Sequence, residues 1–347
     1  MTTPLAWKTS RLRRLASVGG SVLTVAGSLL VLLIVTFGLN ALSPIDPALA
    51  VAGDHASQST LAQTRRELGL DQPLPVQFLL YLGRLAHGDW GTSRSTGQPV
   101  LGDLARALPA TLELSTLALL LATGFGVILG LGAASRPGGA IDGISRFLAL
   151  VGSSIPIFWL GLVLMALFYA RLHWLGGPGR LDGVFQYTVP LTTGFLLIDS
   201  IRSGQEGAVA NAVSHLALPV LVLMLHALAK ISRLTRSSAL EELSKEYVTF
   251  ARSKGVNQRR ILFYHVVPNI RGAIITTTAL AYVELLEGAV LTETIFAWPG
   301  LGRYLATALF AADSPAILGA TLVLGAAFIL INAAVDALVQ LLDPRAK

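Results

Sequence analysis

Five apolar stretches, each long enough to cross a bilayer and none carrying a charged side chain, constrain this chain more than any other feature. They cover residues 15–45, 114–135, 147–170, 207–229 and 314–335. A helix rises about 1.5 Å per residue, so about 20 apolar residues cross about 30 Å of hydrocarbon. A sixth stretch, 272–296, is long enough but holds Glu284, Glu287 and Glu293. The pattern predicts an all-α integral membrane protein with six transmembrane helices. Composition agrees: 13% of the residues are charged and 53% apolar, with a mean hydropathy of +0.65. A soluble fold of 347 residues needs a charged surface that this chain cannot supply. The chain has no cysteine, which excludes disulfides, zinc–thiolate sites and iron–sulfur clusters.

The first stretch has a basic start at Lys8, Arg11, Arg13 and Arg14, and Ala48-Leu49-Ala50 follows it, as in a cleaved signal peptide. Its apolar core exceeds the 7–15 residues of a secretory signal, so it reads as an uncleaved anchor. Residues 184–201 are apolar but short and contain Pro190. Counting them as a seventh crossing conflicts with the charge distribution. With six spans and both termini cytoplasmic, cytoplasmic segments hold 17 Lys and Arg against 9 outside. Residues 230–272 alone carry nine basic and three acidic side chains, which a seventh span would put outside, against the positive-inside rule. The net charge of +6 is therefore a matter of topology, and no nucleic-acid partner is implied.

The expected organisation is a cytoplasmic tail with the first span (1–42), an external cap segment (43–108) and a membrane core (109–347). The cap has six acids and five bases, so it is no basic arm. Leu61–Leu70 reads as helix, Asp71-Gln72-Pro73 as a turn, Leu74–His87 as amphipathic helix and Gly88-Asp89-Trp90-Gly91 as a second turn. Gly126 and Gly130 form a small-xxx-small pair, for packing within the chain or against another subunit. Pro156 should kink the third span. No internal repeat of the kind found in inverted-repeat transporters is evident.

The segment 240–269 carries the most mechanism. Leu240, Leu243, Tyr247 and Phe250 recur at helical spacing and give one apolar face. Gly255 should stop that helix, with Lys254 in its last turn. Asn257 should cap a second short helix, which Pro268 closes, with Arg259 and Arg260 near its start. A basic juxtamembrane cluster can contact anionic lipid, but a defined break and a second capped helix suit docking to a cytoplasmic partner better.

The run Tyr247-Val248-Thr249-Phe250-Ala251-Arg252-Ser253-Lys254-Gly255 resembles the EAA loop of ABC-importer permeases in its peptide-transporter form. Thr249 stands where the general motif has Glu, and Phe250 where it has its first Ala. Gly69-Leu70-Asp71-Gln72-Pro73 and Gly88-Asp89-Trp90-Gly91 are similar to the external cap of the dipeptide, oligopeptide and nickel permeases. The run from Glu293 through Trp298, Pro299 and Gly300 to Gly302 resembles their external loop before the last span, and Asn332, Asp336 and Asp343-Pro344 resemble their close. The resemblance implies the type I ABC importer fold. It assigns Ala251, Arg252, Lys254, Gly255, Val256, Asn257, Arg259 and Arg260 to coupling with an ATPase. It also implies a second homologous permease, two cytoplasmic ATPase subunits, and a periplasmic or lipid-anchored solute-binding protein. The chain itself should bind no cofactor: it lacks the G-x-x-x-x-G-K-[ST] phosphate loop, and ATP and Mg2+ belong to the ATPases. The solute would be a di- or oligopeptide, with nickel or a metal chelate as the alternative.

Glu284 and Glu287 are three residues apart, so they share a helix face. Charges within a span face a cavity or a partner. Two readings follow: a path for a cationic solute, or a carboxylate neutralised by a basic residue of the partner permease or by protonation near the pore. His215 and His226 have no carboxylate at metal-ligand spacing and read as packing or hydrogen-bonding groups. Trp298 and Tyr304 suit an interfacial aromatic belt or a gate. An ion-coupled secondary transporter would not need the loop at Gly255. An intramembrane enzyme would need a motif such as H-E-x-x-H or G-x-S-x-G, and neither occurs.

Overall fold

A computed structural model describes residues 23–38, 41, 48, 52–53, 56–67 and 69–342. The described residues are helical and form no β-ladder, apart from one isolated bridge between Thr92 and Pro99. Their helices are α1 (Leu23–Gly38), α2 (Gln58–Glu67), α3 (Leu74–Ala86), α4 (Val100–Ser135), α5 (Ala140–Ser154) and α6 (Ile157–Leu164). A π-helical turn, Met165–Arg171, prolongs α6. Next come α7 (Gly183–Thr188), α8 (Leu196–Ser203), α9 (Ala208–Leu243), α10 (Glu246–Ser253) and α11 (Gln258–Ile261). The chain ends with α12 (Val267–Ile295), α13 (Leu301–Phe310) and α14 (Ser314–Leu342).

Four helical segments are long and apolar enough to cross a membrane: Val100–Ser135, Ala208–Leu243, Gln258–Ile295 and Ser314–Val335. The pair α5 and α6 makes a fifth, broken by 107°. The first expected span, 15–45, begins outside the described residues; its described part, α1, is apolar but shorter than a crossing. Residues 184–201 form no span: α7 and α8 are short and separated by Val189–Phe195.

The break in the third span is sharper than a proline kink. Ile155, with φ −92° and ψ 124°, is extended, because a residue before proline is pushed out of the α region. Pro156 then starts a new helix instead of bending the old one. In the cap, α2 ends at Glu67, before the expected Leu70, and Gly69 takes φ +69°. The expected turns at 71–73 and 88–91 are present, with Gly88 and Gly91 both at positive φ.

The chain divides into two compact units. The first joins the described residues up to Leu104 with Thr307–Asp336. In it Phe37 of α1 meets Phe78 of α3 edge-on at 5.3 Å. Asp313 accepts hydrogen bonds from Ser93 Oγ at 2.7 Å and from Ser95 N at 2.9 Å. Asn332 spends its amide on the Phe328 carbonyl of its own helix. The side chain of Asp336, and all of Asp343-Pro344, lie outside the described residues.

The second unit, Ala105–Ala306 with residues from Ala337, is centred on α9, which packs against α5 and α12. Glycines set the closest approaches. A Cβ at Gly130 would fall 2.6 Å from Thr235 Cβ and 2.8 Å from Ser232 O of α9, and one at Gly126 would fall 2.9 Å from Ile231. The small-xxx-small pair thus serves packing inside the chain. The core includes Leu114, Leu196, Leu223, Leu228, Ile231 and Leu285.

Candidate functional site: a capped helical hairpin and the carboxylates around it

The hairpin between α9 and α12 is built by local rules. The helix expected to run through Leu240–Phe250 is instead broken at Ser244 and Lys245. A side-chain staple holds the break. Buried Glu242 accepts from Lys245 Nζ at 2.5 Å and from Tyr247 Oη at 2.6 Å, and Asn269 of α12 donates to Tyr247 Oη at 3.1 Å. The Glu242 hydrogen bond raises Lys245 above its ordinary pKa. Burial, then the bond to Glu242, raises Tyr247. Neither Glu242 nor Asn269 stood out in the sequence; an acid within an apolar helical repeat was the one available signal.

At the hairpin's tip, Gly255 has φ +76°, and a Cβ there would meet nothing within 4 Å. Backbone conformation, not crowding, requires glycine. Gly255 N donates to Arg252 O at 2.9 Å and Val256 N to Ala251 O at 3.2 Å, the paired bonds of a Schellman cap. Ala251 and Val256, the two ends of that cap, pack on a cluster containing Val248, Ile261 and Leu262. Asn257 caps α11 as expected, its side chain accepting from Arg259 N at 3.2 Å. Pro268 does not close that helix. The chain passes through a π-helical turn, Leu262–Val266, straight into α12, because proline lacks an N–H and sits easily in the first turn of a helix.

The cap leaves Arg252, Lys254, Asn257, Arg259 and Arg260 exposed. Exposed aromatics stand among them: Lys254 Nζ lies 4.3 Å from the Phe250 ring centre and the Arg260 guanidinium 6.0 Å from that of Tyr264. Phe263 is exposed as well. Arginine and aromatic side chains on a rigid, capped turn are the usual anchors of a protein interface.

A second centre gathers on α4 near Pro109. Glu113 is buried and accepts from Arg180 Nη2 at 2.9 Å and from Leu196 N and Leu197 N, each at 2.8 Å. It therefore caps α8 from a distant helix. Burial pushes the Arg180 guanidinium below its ordinary pKa, and Glu113 opposes that shift. Burial would raise Asp199, but hydrogen bonds from Thr193, Thr192 and Gly194 overcome it and hold the carboxyl below its usual value. One turn away, Thr111 Oγ1 donates to Glu293 Oε1 at 2.6 Å and accepts from Leu301 N at 2.8 Å.

Glu293 thus lies buried at the end of α12. It accepts from Arg303 N at 3.0 Å, and its carboxylate fills the space where a Cβ of Gly300 would be, while the Val290 backbone occupies that of Gly302. Pro299, just before Gly300, is exposed. Trp298 is fully buried, with Nε1 donating to Ala110 O at 3.0 Å and Arg180 5.2 Å from its ring. That corrects the interfacial-belt reading: a buried acceptor lets the indole leave the water interface. Thr111, Glu113 and Arg180 were missed because their partners are far away in sequence.

Both span histidines are hydrogen-bonded. His215 Nδ1 lies 3.1 Å from Gly177 O and Nε2 3.1 Å from Asp182 Oδ1, and His226 Nδ1 lies 3.1 Å from Gly152 O. Glu284 of α12 pairs with Lys230 of α9, a base within this chain that the sequence reading did not consider. Glu287 is exposed one turn further on. Among the described residues, no three His, Asp or Glu side chains gather as a metal site would need.

Comparison with known proteins gives a consistent picture. The family described as binding-protein-dependent transport system inner membrane component matches residues 126–347, and its N-terminal counterpart matches residues 18–115. A probable D,D-dipeptide transport system permease protein, DdpB of Escherichia coli K12, is 44% identical over 328 residues, covering 94% of each chain. The di/tripeptide transport system permease protein DppB of Pseudomonas aeruginosa UCBPP-PA14 is 41% identical over 90% of this chain and 93% of its own length. A solved chain from the inward-facing MetNI methionine ABC transporter superposes with a TM-score of 0.53 at 15% identity, covering 71% of this chain and 98% of that one.

Proposed function

The chain belongs to the family of binding-protein-dependent transport system inner membrane components, and from that premise we propose that it is the permease subunit of an ATP-driven peptide importer. Di- and oligopeptides are the solutes, since the relatives described above carry peptide names, and this favours peptides over nickel. The chain sits in the inner membrane with both termini in the cytoplasm. It binds no nucleotide. Two cytoplasmic ATPases supply the hydrolysis, a second homologous permease completes the path, and an external solute-binding protein delivers the peptide. Residues 43–108 form an external cap, and 109–347 the permease core.

The observation that carries the reading is the hairpin at Gly255. A Schellman cap fixes its shape while Arg252, Lys254, Arg259 and Arg260 stand out beside Phe250, Phe263 and Tyr264. Such a tip can be gripped and pushed by a protein. ATPase closure would move it as a rigid body, and the helices continuous with it would reorient the solute path between the two faces. We assign Glu284 and Glu287 to that path, supported by their shared helix face and their exposure in the single chain.

The test is labelled-dipeptide uptake in a strain lacking this gene. The wild-type copy should restore uptake and co-purify with two ATPase subunits. Gly255→Val cannot adopt φ +76° without strain and should abolish uptake at unchanged membrane levels. A wild-type copy that restores no dipeptide uptake removes the substrate reading; full uptake by Gly255→Val removes the docking reading.

A further inference from the structure

We propose that Lys230, Glu284 and Glu287 form one mixed-charge site between the long helices α9 and α12 that handles the two charged ends of a zwitterionic peptide. The proposal rests on the peptide-import reading and adds a binding residue, Lys230, to it. Lys230 of α9 and Glu284 of α12 form an ion pair in which each side chain remains 41% exposed. Glu287 follows one turn along α12, exposed, and makes no hydrogen bond or ion pair with any described residue. Leu280, Glu284, Glu287 and Leu291 are the outward positions of this stretch, while Ala281, Leu285 and Ala289 between them are buried. Spacings of four, three and four put the outward set on one stripe.

Charge decides what the stripe can face. Ionised groups turned to acyl chains are costly, so the two carboxylates of the stripe, with Lys230 of α9 beside them, face water or protein. One base against two acids leaves the site a single negative charge in excess. A cation completes it, but a plain cation leaves Lys230 with no role beyond neutralising Glu284. A peptide with free termini uses all three groups: its ammonium seats on Glu287, and its carboxylate takes the exposed side of Lys230, which Glu284 positions. The half-exposed pair can exchange partners in a way that the buried Glu113–Arg180 pair cannot. Exchange of one partner for another keeps the charge count constant as the peptide passes, and a transit site must bind weakly enough to release.

The experiment is dipeptide uptake by the assembled importer carrying Lys230→Met, Glu287→Gln, or the swap of Lys230→Glu with Glu284→Lys. Maximal uptake should fall at least tenfold in both single variants. The half-saturating peptide concentration, set by the external binding protein, should stay unchanged. The swap rebuilds an ion pair but inverts its polarity, so it should assemble normally and still fail to transport. Recovery of uptake in the swap would show a structural strut and overturn the proposal. Unchanged uptake in Glu287→Gln would overturn it independently, and this side chain makes no hydrogen bond or ion pair with any described residue whose loss could unfold the chain. A wild-type importer that ignores dipeptides would instead sink the peptide reading itself.

Discussion

Replacing Glu113 by alanine should free α8 and its flanking turns while the spanning helices stay folded. Glu113 is 6% exposed and Arg180 9%, so their ion pair is screened from solvent. Removing one partner of a buried pair costs about 3–5 kcal/mol. Arg180 keeps its 2.7 Å bond to Gly194 O and its place over Trp298, which argues for the lower end. The substitution also strips the acceptor from two N–H groups at the start of α8, and a lost helix cap costs about 1 kcal/mol. A total of about 4 kcal/mol, at 1.4 kcal/mol per decade, corresponds to on the order of a thousandfold more frequent opening. Hydrogen exchange of the full-length protein in lipid nanodiscs reads this directly over residues 192–203. Glu113→Leu combined with Arg180→Met should recover much of the protection, since an apolar replacement of a whole buried pair is often neutral. Unchanged exchange at Leu196 and Leu197, or an increase spread evenly over α4 and α9, would refute the reasoning.

Two further outcomes follow from the same unit. Asp199 has a folded pKa below its unfolded value of about 3.9. Its contribution is therefore complete above that value and lost as pH falls through the depressed one. Exchange around α8 should rise only below about pH 4, and Asp199→Asn should remove that acid step. Gly130→Ala would drive a Cβ into Thr235 and the Ser232 carbonyl, an overpacking worth about 1–3 kcal/mol that should lower the thermal midpoint in detergent. Gly124→Ala, with nothing within 4 Å, should leave the midpoint in place.

What the sequence disclosed depended on how local the cause was. Pro156, Gly255 and Asn257 each act through their own backbone or the next few residues, and all three positions were readable. The break at Ser244–Lys245 was not, because neither glycine nor proline marks it. A carboxylate two residues earlier and a tyrosine two residues later hold it together. Trp298 was misread for the same reason in stronger form: its partner, the Ala110 carbonyl, lies 188 residues away. An indole has one polar atom, and only the fold decides whether that atom meets a buried acceptor or the membrane surface.

The acidic residues of the apolar segments carry this argument furthest. Glu113, Glu284, Glu287 and Glu293 give the same signal in one dimension, a carboxylate within or beside a run of hydrophobic residues. In three dimensions they are four different things. Glu113 is ion-paired with Arg180 and caps α8. Glu293 takes a threonine hydroxyl and a backbone N–H in a space lined by glycines, with no ion pair to a cationic side chain among the described residues. Glu284 holds a half-exposed lysine, and Glu287 makes no hydrogen bond or ion pair with any described residue. The cost of burying charge guarantees that each such group is compensated somewhere, but it does not name the compensator. For the two buried acids the compensation is internal, and their substitution should report on stability. For Glu287 no described residue supplies it, and its substitution should report on whatever passes by.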